Sequence, residues 1–403
     1  MSPPVTAPSS RCALSAAASP TTASSGTPAP SAADPPGQLE ADAPAASAPS
    51  SPPRSIPSNW RAAEMQESQI LIFTNTMDPH ADVVIKKLTG WGHEPVRLNS
   101  DDLPDAAVIR TALRGPRWTG GFHMSAGDRV ADLERVRSVW LRRPYPYGPS
   151  AALGPLERAF AVAELEQTMG GLLASLDCYW MSRPGDVRAA SWKPEQLRRA
   201  ARMGFEVPRT LITSDPEAVR AFHAECGGRT IFKSMTGPAG LASVEPAAEG
   251  MTGPPTALEM PTTMLGEAEL AALEAVRLTP CLFQEYVDKD RELRVTVIGD
   301  EVFAAEIHSQ ARPETAVDLR HFDVDVPYRA ARLPDEVAGR CLEFVHSYGL
   351  TFGALDLILT PDGRHVFLEN NPIGQFVYIE ERVPELRMTD ALAGCLLNAG
   401  RPS

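Results

Sequence analysis

The most telling hydrophobic pattern lies toward the C-terminus. An apolar run, Ala354-Leu355-Asp356-Leu357-Ile358-Leu359, reaches a Pro361-Asp362-Gly363 turn and is followed by Val366-Phe367-Leu368-Glu369-Asn370-Asn371-Pro372. Two apolar runs around a tight turn predict a β-hairpin. Side chains alternate along a strand, so Glu369 and Asn371 share one face, and Asp356 on the partner strand can lie opposite them. Nearer the N-terminus the pattern predicts a strand from Gln69, a helix over Ala81–Trp91 and a strand over Val139–Arg142, which suggest a partly parallel sheet. A middle stretch predicts helix Pro194–Met203, strand Arg209–Thr213, helix Pro216–Cys226 and strand Thr230–Lys233. Beyond it come a hairpin of Arg294–Ile298 with Val302–Ile307 around Gly299-Asp300, a helix over Asp335–Tyr348 and another over Glu385–Asn398. Val337, Cys341, Phe344 and Val345 read as core positions, and no internal repeat is present.

The polar residues inside the last hairpin carry the first candidate chemistry. Asp and Glu in strands usually form a solvated face, but Asp356 interrupts a nearly continuous apolar run, where an unpaired carboxylate is costly. Asp356, Glu369 and Asn371 bring three hard oxygen donors to adjacent strands. Such a set suits Mg²⁺, which takes one or two carboxylates and completes its octahedron with water and phosphate oxygens. The pattern resembles the last metal-binding hairpin of the ATP-grasp ligases, in which an Asp and then a Glu-x-Asn hold the magnesium of Mg-ATP. The resemblance implies an ATP pocket upstream.

Pieces that fit such a pocket are present. Gln284-Glu285-Tyr286-Val287 follows the apolar Cys281-Leu282-Phe283, and a strand edge of this kind can offer backbone N–H and C=O groups to an adenine. Glu292 comes seven residues after Glu285, and a carboxylate there can accept hydrogen bonds from both ribose hydroxyls. This spacing matches the family's hinge and ribose-binding glutamates, although charged residues around a turn are ordinarily just solvated. Lys233 ends the strand Thr230-Ile231-Phe232-Lys233, and Lys193 opens the helix Lys193-Pro194-Glu195-Gln196-Leu197. A lysine ammonium is a point charge for phosphate oxygens, yet most lysines are exposed and unemployed. Together with Gly204-Phe205-x-Val207-Pro208-Arg209-Thr210, the two lysines resemble the opening of the ATP-grasp central domain. Arg294 is a candidate third cation for the transferring phosphoryl group.

Finer segments narrow the resemblance. They are Gln69-Ile70-Leu71-Ile72-Phe73-Thr74-Asn75, Asp78-Pro79-His80-Ala81-Asp82 and Val139-Trp140-Leu141-Arg142-Arg143-Pro144 in the first half. The second half adds Phe283-Gln284-Glu285-Tyr286-Val287-x-Lys289, Glu306-Ile307-x-Ser309-Gln310, Asp318-Leu319-Arg320 and Asn371-Pro372-x-Gly374-Gln375. From about Met65 onward this set resembles the ATP-grasp ribosomal peptide maturases, the synthetases of graspetides (microviridin-like peptides), and particularly their actinobacterial branch. The resemblance implies an α/β (α+β ATP-grasp) fold: an N-terminal α/β pre-ATP-grasp domain, then central and C-terminal ATP-grasp subdomains. It implies ATP and Mg²⁺ as cofactors, a precursor peptide with leader and core as partner, and a homodimer. The implied reaction activates Asp or Glu side chains of the precursor and closes ester or amide rings with Ser or Thr hydroxyls or Lys amines. Arg294 and Arg320 are then the catalytic candidates. Arg320 is placed to bind the acidic core residue or, equally, to pair with Asp318. Arg142 and Arg143 have a blander account as a surface pair at a strand end. One rival is an ATP-grasp ligase that adds amino acids to a protein tail or joins small amino acids, which would share Lys193, Lys233, Glu292 and the metal set. Another is a nucleotide- or peptide-binding protein without catalysis, which the intact oxygen donors and both lysines argue against.

Composition sets the outer bounds. The chain has 403 residues, 43% of them hydrophobic, enough for two or three packed units. Residues 1–64 begin with a stretch almost entirely of Pro, Ala, Ser, Thr and Gly, which cannot bury enough apolar surface to fold. It lacks the basic and apolar regions of a secretory signal, and Met65 is the simpler start of translation. The expected units are then 65–184, 185–280 with a lid loop, and 281–403 with the Mg-ATP site. The stretch Met235–Thr263, rich in Gly, Pro, Ala and Met, predicts a mobile loop in place of the family's usual lid and hairpin. Asn370 stands where the family commonly has an apolar residue and should point to the other face. A formal net charge of −13 argues against nucleic acid as main partner. The six cysteines show no CxxC spacing and read as reduced residues of a cytoplasmic protein. No apolar run is long enough to span a bilayer. Deleting residues 1–64 is expected to leave ATP-dependent activity and melting temperature unchanged. A large drop in melting temperature on truncation would show instead that the tail packs on the folded part.

Overall fold

The computed structural model describes residues 68–125, 129–236, 261–319 and 324–399. The expected tail, most of the expected lid loop and Arg320 lie outside the described residues. A short apolar run with no polar alternation needs cover on both faces, and β1 (Gln69–Thr74) obtains it at the interior of a sheet. It leads to α1 (Pro79–Gly90), whose N-cap Asp78 accepts from the His80 N–H with Pro79 in the first turn. Then come β2 (Val96–Asn99), β3 (Ala107–Arg114), β4 (Arg117–Met124), β5 (Val130–Asp132), β6 (Val136–Leu141), α2 (Pro155–Ala174) and β7 (Tyr179–Met181). The order β2-β1-β6-β7 is parallel at every pairing, so the sheet expected to be partly parallel is wholly so among the described strands. The sequence pattern did not reveal the antiparallel meander β3-β4-β5 or the strand β7. β3 is mostly exposed, β4 is interrupted by Gly120 and Gly121, and β5 and β7 have only three residues each.

The middle of the chain supplies α3 (Pro184–Ala189), α4 (Lys193–Arg202), β8 (Thr210–Thr213), α5 (Pro216–Glu225), β9 (Thr230–Lys233), β10 (Thr263–Met264), α6 (Glu267–Ala271) and β11 (Cys281–Glu285). Its four strands form an antiparallel sheet in the order β10-β9-β11-β8. Val219 of α5, Leu265, Leu273, Val276 and Phe283 fill the small core on one side.

The remainder contributes β12 (Arg291–Ile298), β13 (Glu301–Ile307), β14 (Tyr328–Ala330), α7 (Asp335–His346), β15 (Phe352–Leu359), β16 (His365–Asn371), α8 (Val377–Arg382) and α9 (Met388–Leu397). These five strands run β14-β13-β12-β15-β16, all antiparallel. Alternation divides their side chains. Leu293, Val295, Leu355 and Leu357 pack with Leu197, Cys341 and Phe344 of α4 and α7. Ile298, Phe352 and Ala354 on the other face join Ile70, Ile72 and Trp140 of the parallel sheet and Leu392 and Leu396 of α9. The helix expected over Glu385–Asn398 is shorter. Arg387 takes a left-handed conformation (φ 47°) between a 3₁₀ turn, Pro384–Leu386, and α9, and Glu380 accepts from the Thr389 N–H and hydroxyl there. No helix among the described residues is long and apolar enough to cross a membrane, and the five described cysteines are free.

Arg142 corrects an expectation. It is not a surface residue but 2% exposed, with Nη1 donating to the Ile373 carbonyl just beyond β16 and Nε 4.0 Å from the Asp78 carboxylate. Nearby His80 is pushed down to about 3 by burial, then by Arg142 and Arg143, so it stays neutral and leaves Asp78 as the local counter-charge. Removing one member of a buried charge pair typically costs about 3 kcal/mol. Arg142→Leu is therefore expected to lower the melting temperature by roughly 5 °C, and a melt indistinguishable from the parent protein would show that this link carries no weight.

Candidate active site

The closing hairpin forms as the pattern requires. Gly363, at φ 88°, lets the turn close with its N–H donating to the Thr360 carbonyl. A bulge shifts the register: Asp356 pairs with Glu369 while Leu357 pairs with Phe367, leaving Leu368 without a partner. Asp356 and Glu369 thus lie directly opposite each other, with Asn371 two residues on. The Asn371 amide reaches Asp356 Oδ2 at 3.2 Å and Glu369 Oε1 at 3.3 Å. Its nitrogen is assigned to that position, and a half-turn of the amide would put its oxygen there. Two carboxylates and one side-chain amide therefore converge on one point. Among the described residues no group of three or more His, Cys, Asp or Glu side chains is arranged to hold a metal ion. The donor set here reaches three only by including the amide, and such hard oxygens fit Mg²⁺.

Cations surround these oxygens. Lys193, the first residue of α4, lies 2.9 Å from Glu369 Oε2 and donates to the Ser234 carbonyl. Arg294 on β12 sits opposite Asp356 in the ladder and reaches its oxygens at 3.0 and 3.1 Å. Two other guanidinium nitrogens of Arg294 donate to the Tyr378 hydroxyl. Lys193, Lys233, Gln284 and Glu369 line one narrow cavity between the middle sheet and the hairpin, with Leu197, Leu282 and Leu368. Burial pushes Asp356 up to about 6, opposed by Arg294 and aided by Glu369. Burial acts on Glu369 in the same sense, but Lys193 and Lys233 overcome it and hold that carboxyl down at about 2. The Lys233 ammonium is lowered chiefly by burial, with Glu369 pulling against that.

The nucleotide-binding candidates occupy the neighbouring strand and its exit. Gln284 is buried, and its amide donates to Thr210 Oγ1 at 3.0 Å. Glu285 turns its carboxylate to Arg209, at 2.6 Å from Nε, and its N–H goes to the Arg209 carbonyl. The Tyr286 N–H goes to the Arg229 carbonyl, whereas the Val287 N–H takes no acceptor among the described residues. Any recognition by this segment falls to its backbone after β11, as the strand-edge reading requires. Glu292 is held by Lys289 at 2.6 Å and by the Ser309 hydroxyl at 2.9 Å. Arg320 lies outside the described residues; Asp318 accepts from the Thr262 N–H at 2.6 Å.

Several residues around the site escaped the sequence reading of roles. Gln196 on α4 reads the edge of β16 in both directions, donating to the Asn370 carbonyl and accepting from its N–H, each at 2.8 Å. This double bond seats Lys193 beside Glu369. Asn370 turns its side chain to the other face, as expected, over Gly353, where any Cβ would come within 2.7 Å of Asn370 Oδ1. Lys289, Ser309 and Tyr378 were the other omissions as contributors. Lys289 and Ser309 stood in quoted motifs; nothing in the pattern pointed to Tyr378.

Fold and site can be set beside known proteins. Residues 69–188 match the family of the MvdD pre-ATP grasp domain. The macrocyclase MdnC of Microcystis aeruginosa MRC, solved bound with precursor peptide MdnA, is 28% identical with a TM-score of 0.70, over 82% of this chain and 100% of that one. A RiPP-associated ATP-grasp ligase of Chryseobacterium gregarium, in complex with ADP and a leader and core peptide, is 28% identical with a TM-score of 0.73, over 83% of this chain and 98% of that one. The ATP-grasp ligase PsnB, complexed with minimal precursor, Mg and ADP, is 25% identical with a TM-score of 0.63, over 82% of this chain and 97% of that one. No curated protein is matched. The chain is an ATP-dependent ligase with the ATP-grasp fold. Within that class it is similar in fold to the ATP-grasp ligases that act on ribosomal peptides, and its residues 69–188 are similar to the MvdD pre-ATP grasp domain.

The raised Asp356 has a readable consequence. A carboxyl whose pKa goes from 3.8 to about 6 on folding binds its proton more tightly in the folded state, so it costs stability as pH rises between those values and no further above them. Glu369, held at about 2, is already ionised throughout that window. Asp356→Asn is therefore expected to gain stability relative to the parent protein as pH rises from about 4 to 6, measured by urea unfolding. A constant difference across that range would contradict the assignment.

Proposed function

We propose that the chain phosphorylates Asp or Glu side chains of a ribosomally made precursor peptide at the expense of ATP. It then condenses them with Ser or Thr hydroxyls or Lys amines to close side-chain ester or amide rings. What supports this reading most is that relatives solved with precursor peptides are spanned over 97–100% of their own length, with the charged cleft present here. The carboxylate oxygen attacks the γ-phosphorus and ADP leaves; the hydroxyl or amine then attacks the acyl carbon, phosphate leaves, and one proton is released. A carboxylate is a poor acyl donor because oxide is a poor leaving group, and phosphate is a far better one.

In this reading Asp356, Glu369 and Asn371 hold Mg²⁺, which would neutralise charge on the phosphates. Lys193 and Lys233 take phosphate oxygens, Glu292 accepts from the ribose, and the backbone of Gln284 to Val287 faces the adenine. Arg294 stabilises the transferring phosphoryl group, and Arg320 binds the acidic core residue. Such positioning and charge stabilisation are most of what a protein contributes to phosphoryl transfer. The site's charges are paired: Lys193 sits on Glu369, Arg294 on Asp356 and Lys289 on Glu292. Phosphates would take over the cations as the metal takes over the carboxylates, so nucleotide and Mg²⁺ should bind together far better than either alone. Holding the nucleophile beside the acyl phosphate makes ring closure effectively intramolecular, worth roughly 7–11 kcal/mol.

The precursor's leader and core are the partner, and the enzyme works as a homodimer in the cytoplasm, where ATP and newly made peptide meet. Its subdomains are 65–184, 185–280 and 281–403, after the tail 1–64, and its place is in the actinobacterial branch. Incubated with its cognate precursor, Mg²⁺ and ATP, it is expected to yield peptides lighter by whole multiples of one water, with ADP and phosphate released. Asp356→Ala, Glu369→Ala and Asn371→Ala should each abolish that turnover without unfolding the protein. A product heavier by an amino acid would favour a tail-adding ligase, and AMP in place of ADP would end the mechanism.

A further inference from the structure

Arg294 is held from two sides in the cleft. Its Nη1 reaches the Asp356 carboxylate at 3.0 and 3.1 Å. On the other edge of the same planar group, Nε and Nη2 both donate to one oxygen, the Tyr378 hydroxyl, at 3.3 and 3.1 Å. A hydroxyl has two lone pairs, and one guanidinium edge occupies both. Asp356 and Tyr378 are the only hydrogen-bond partners of the Arg294 side chain among the described residues.

These two holds differ in what a ligand does to them. Asp356 is one of the oxygen donors for Mg²⁺, and a dication competes with Arg294 for that carboxylate. The Tyr378 phenol carries no charge to offer a metal and keeps its hold. The phenol is itself fixed. It lies in the first turn of α8, seven residues after Asn371, and the segment between is pinned along its length. Arg142 donates to the Ile373 carbonyl. Gly374 packs so closely on β15 that a Cβ there would come within 2.4 Å of Ala354 Cβ. Phe376 is fully buried, its ring 5.0 Å from that of His80 and 6.0 Å from that of Phe352. The Tyr328 ring meets Tyr378 edge-on at 6.3 Å. One packed segment thus carries a metal ligand at one end and the anchor of the arginine at the other.

We propose that Tyr378 is a positioning residue for phosphoryl transfer: its hydroxyl fixes the Nε–Nη2 edge of Arg294, so that the guanidinium stays aimed at the transferring group once the metal has drawn Asp356 away. The inference rests on the role proposed above for Arg294 and names what directs it. A cation stabilises developing charge only from the right place, and a misplacement of about 1 Å can cost on the order of a hundredfold in rate. An arginine with neither hold keeps its charge and loses its aim. The ring contacts of Tyr378 do not involve its hydroxyl, so Tyr378→Phe removes the anchor and leaves the packing in place.

The test compares Tyr378→Phe with the parent full-length protein by ADP release with the cognate precursor and by calorimetric binding of Mg·AMPPNP. In the variant kcat is expected to fall about tenfold to a hundredfold, while KM for Mg-ATP and the affinity for Mg·AMPPNP stay within about twofold of the parent. The same substitution is then made in an Arg294→Lys background. A lysine ammonium has no second edge to be held, so there the loss of the hydroxyl should change kcat by less than about twofold. A kcat equal to the parent's, or the same loss in both backgrounds, overturns the proposal. So does an affinity for Mg·AMPPNP that falls as far as kcat, which would mean that the hydroxyl shapes the nucleotide pocket and does not aim Arg294. ADP release is common to all acyl-phosphate ligases, so the coupling of Tyr378 to Arg294 is read from rates, whereas the peptide-cyclising reading stands or falls on product mass.

Discussion

The structure turns on one electrostatic constraint: two carboxylates placed opposite each other in the interior of a cleft. Like charges this close are tolerable only if something balances them. Asp356 and Glu369 are balanced differently. Glu369 has two lysines and is held fully ionised, whereas Asp356 has Arg294 and still rises to about 6. The remaining architecture brings those cations in. The first residue of α4 delivers Lys193, the end of β9 in a separate sheet delivers Lys233, and the neighbouring strand β12 delivers Arg294. Three elements from distant parts of the chain must therefore be docked before the carboxylates are neutralised.

That docking is done by buried polar groups as much as by apolar ones. Gln196 locks α4 to β16 through paired amide hydrogen bonds. Arg142 reaches from the parallel sheet to the Ile373 carbonyl beyond the hairpin. A half-satisfied polar group in a low-dielectric interior is expensive, so these contacts specify one arrangement where hydrophobic packing alone would accept several. The shared apolar layer of Ile70, Trp140, Phe352 and Leu396 holds the parallel sheet and the five-stranded sheet together.

Much of this was legible in the chain because local patterns carried it. Period-2 alternation around a Pro-Asp-Gly turn identified β15 and β16 and put Glu369 and Asn371 on one face. Helical spacing found α4, α5 and α7 to within a few residues. The hydrophobic pattern failed where its signal is weak. In the meander β3-β4-β5, β3 is mostly exposed and β4 is interrupted by Gly120 and Gly121; β7 is too short to show a period, and the break at Arg387 depends on a single backbone conformation. Arg142 was misread for a related reason: an arginine beside another at a strand end is ordinarily exposed, and only a distant carbonyl and Asp78 make it otherwise.

By itself the sequence determined which side chains could do chemistry, since oxygen donors within apolar runs and lysines at element ends are visible as composition and spacing. It also determined the hairpin, whose partners are near neighbours along the chain. Tertiary structure alone decided which cation meets which carboxylate: Lys193 with Glu369 and Arg294 with Asp356. It decided the bulge that sets Asp356 directly across from Glu369. The reason is physical. Strand and turn propensities act over a few residues, whereas ion pairs such as Lys193 with Glu369, 176 positions apart, follow from the packing of distant segments. No local pattern encodes that packing.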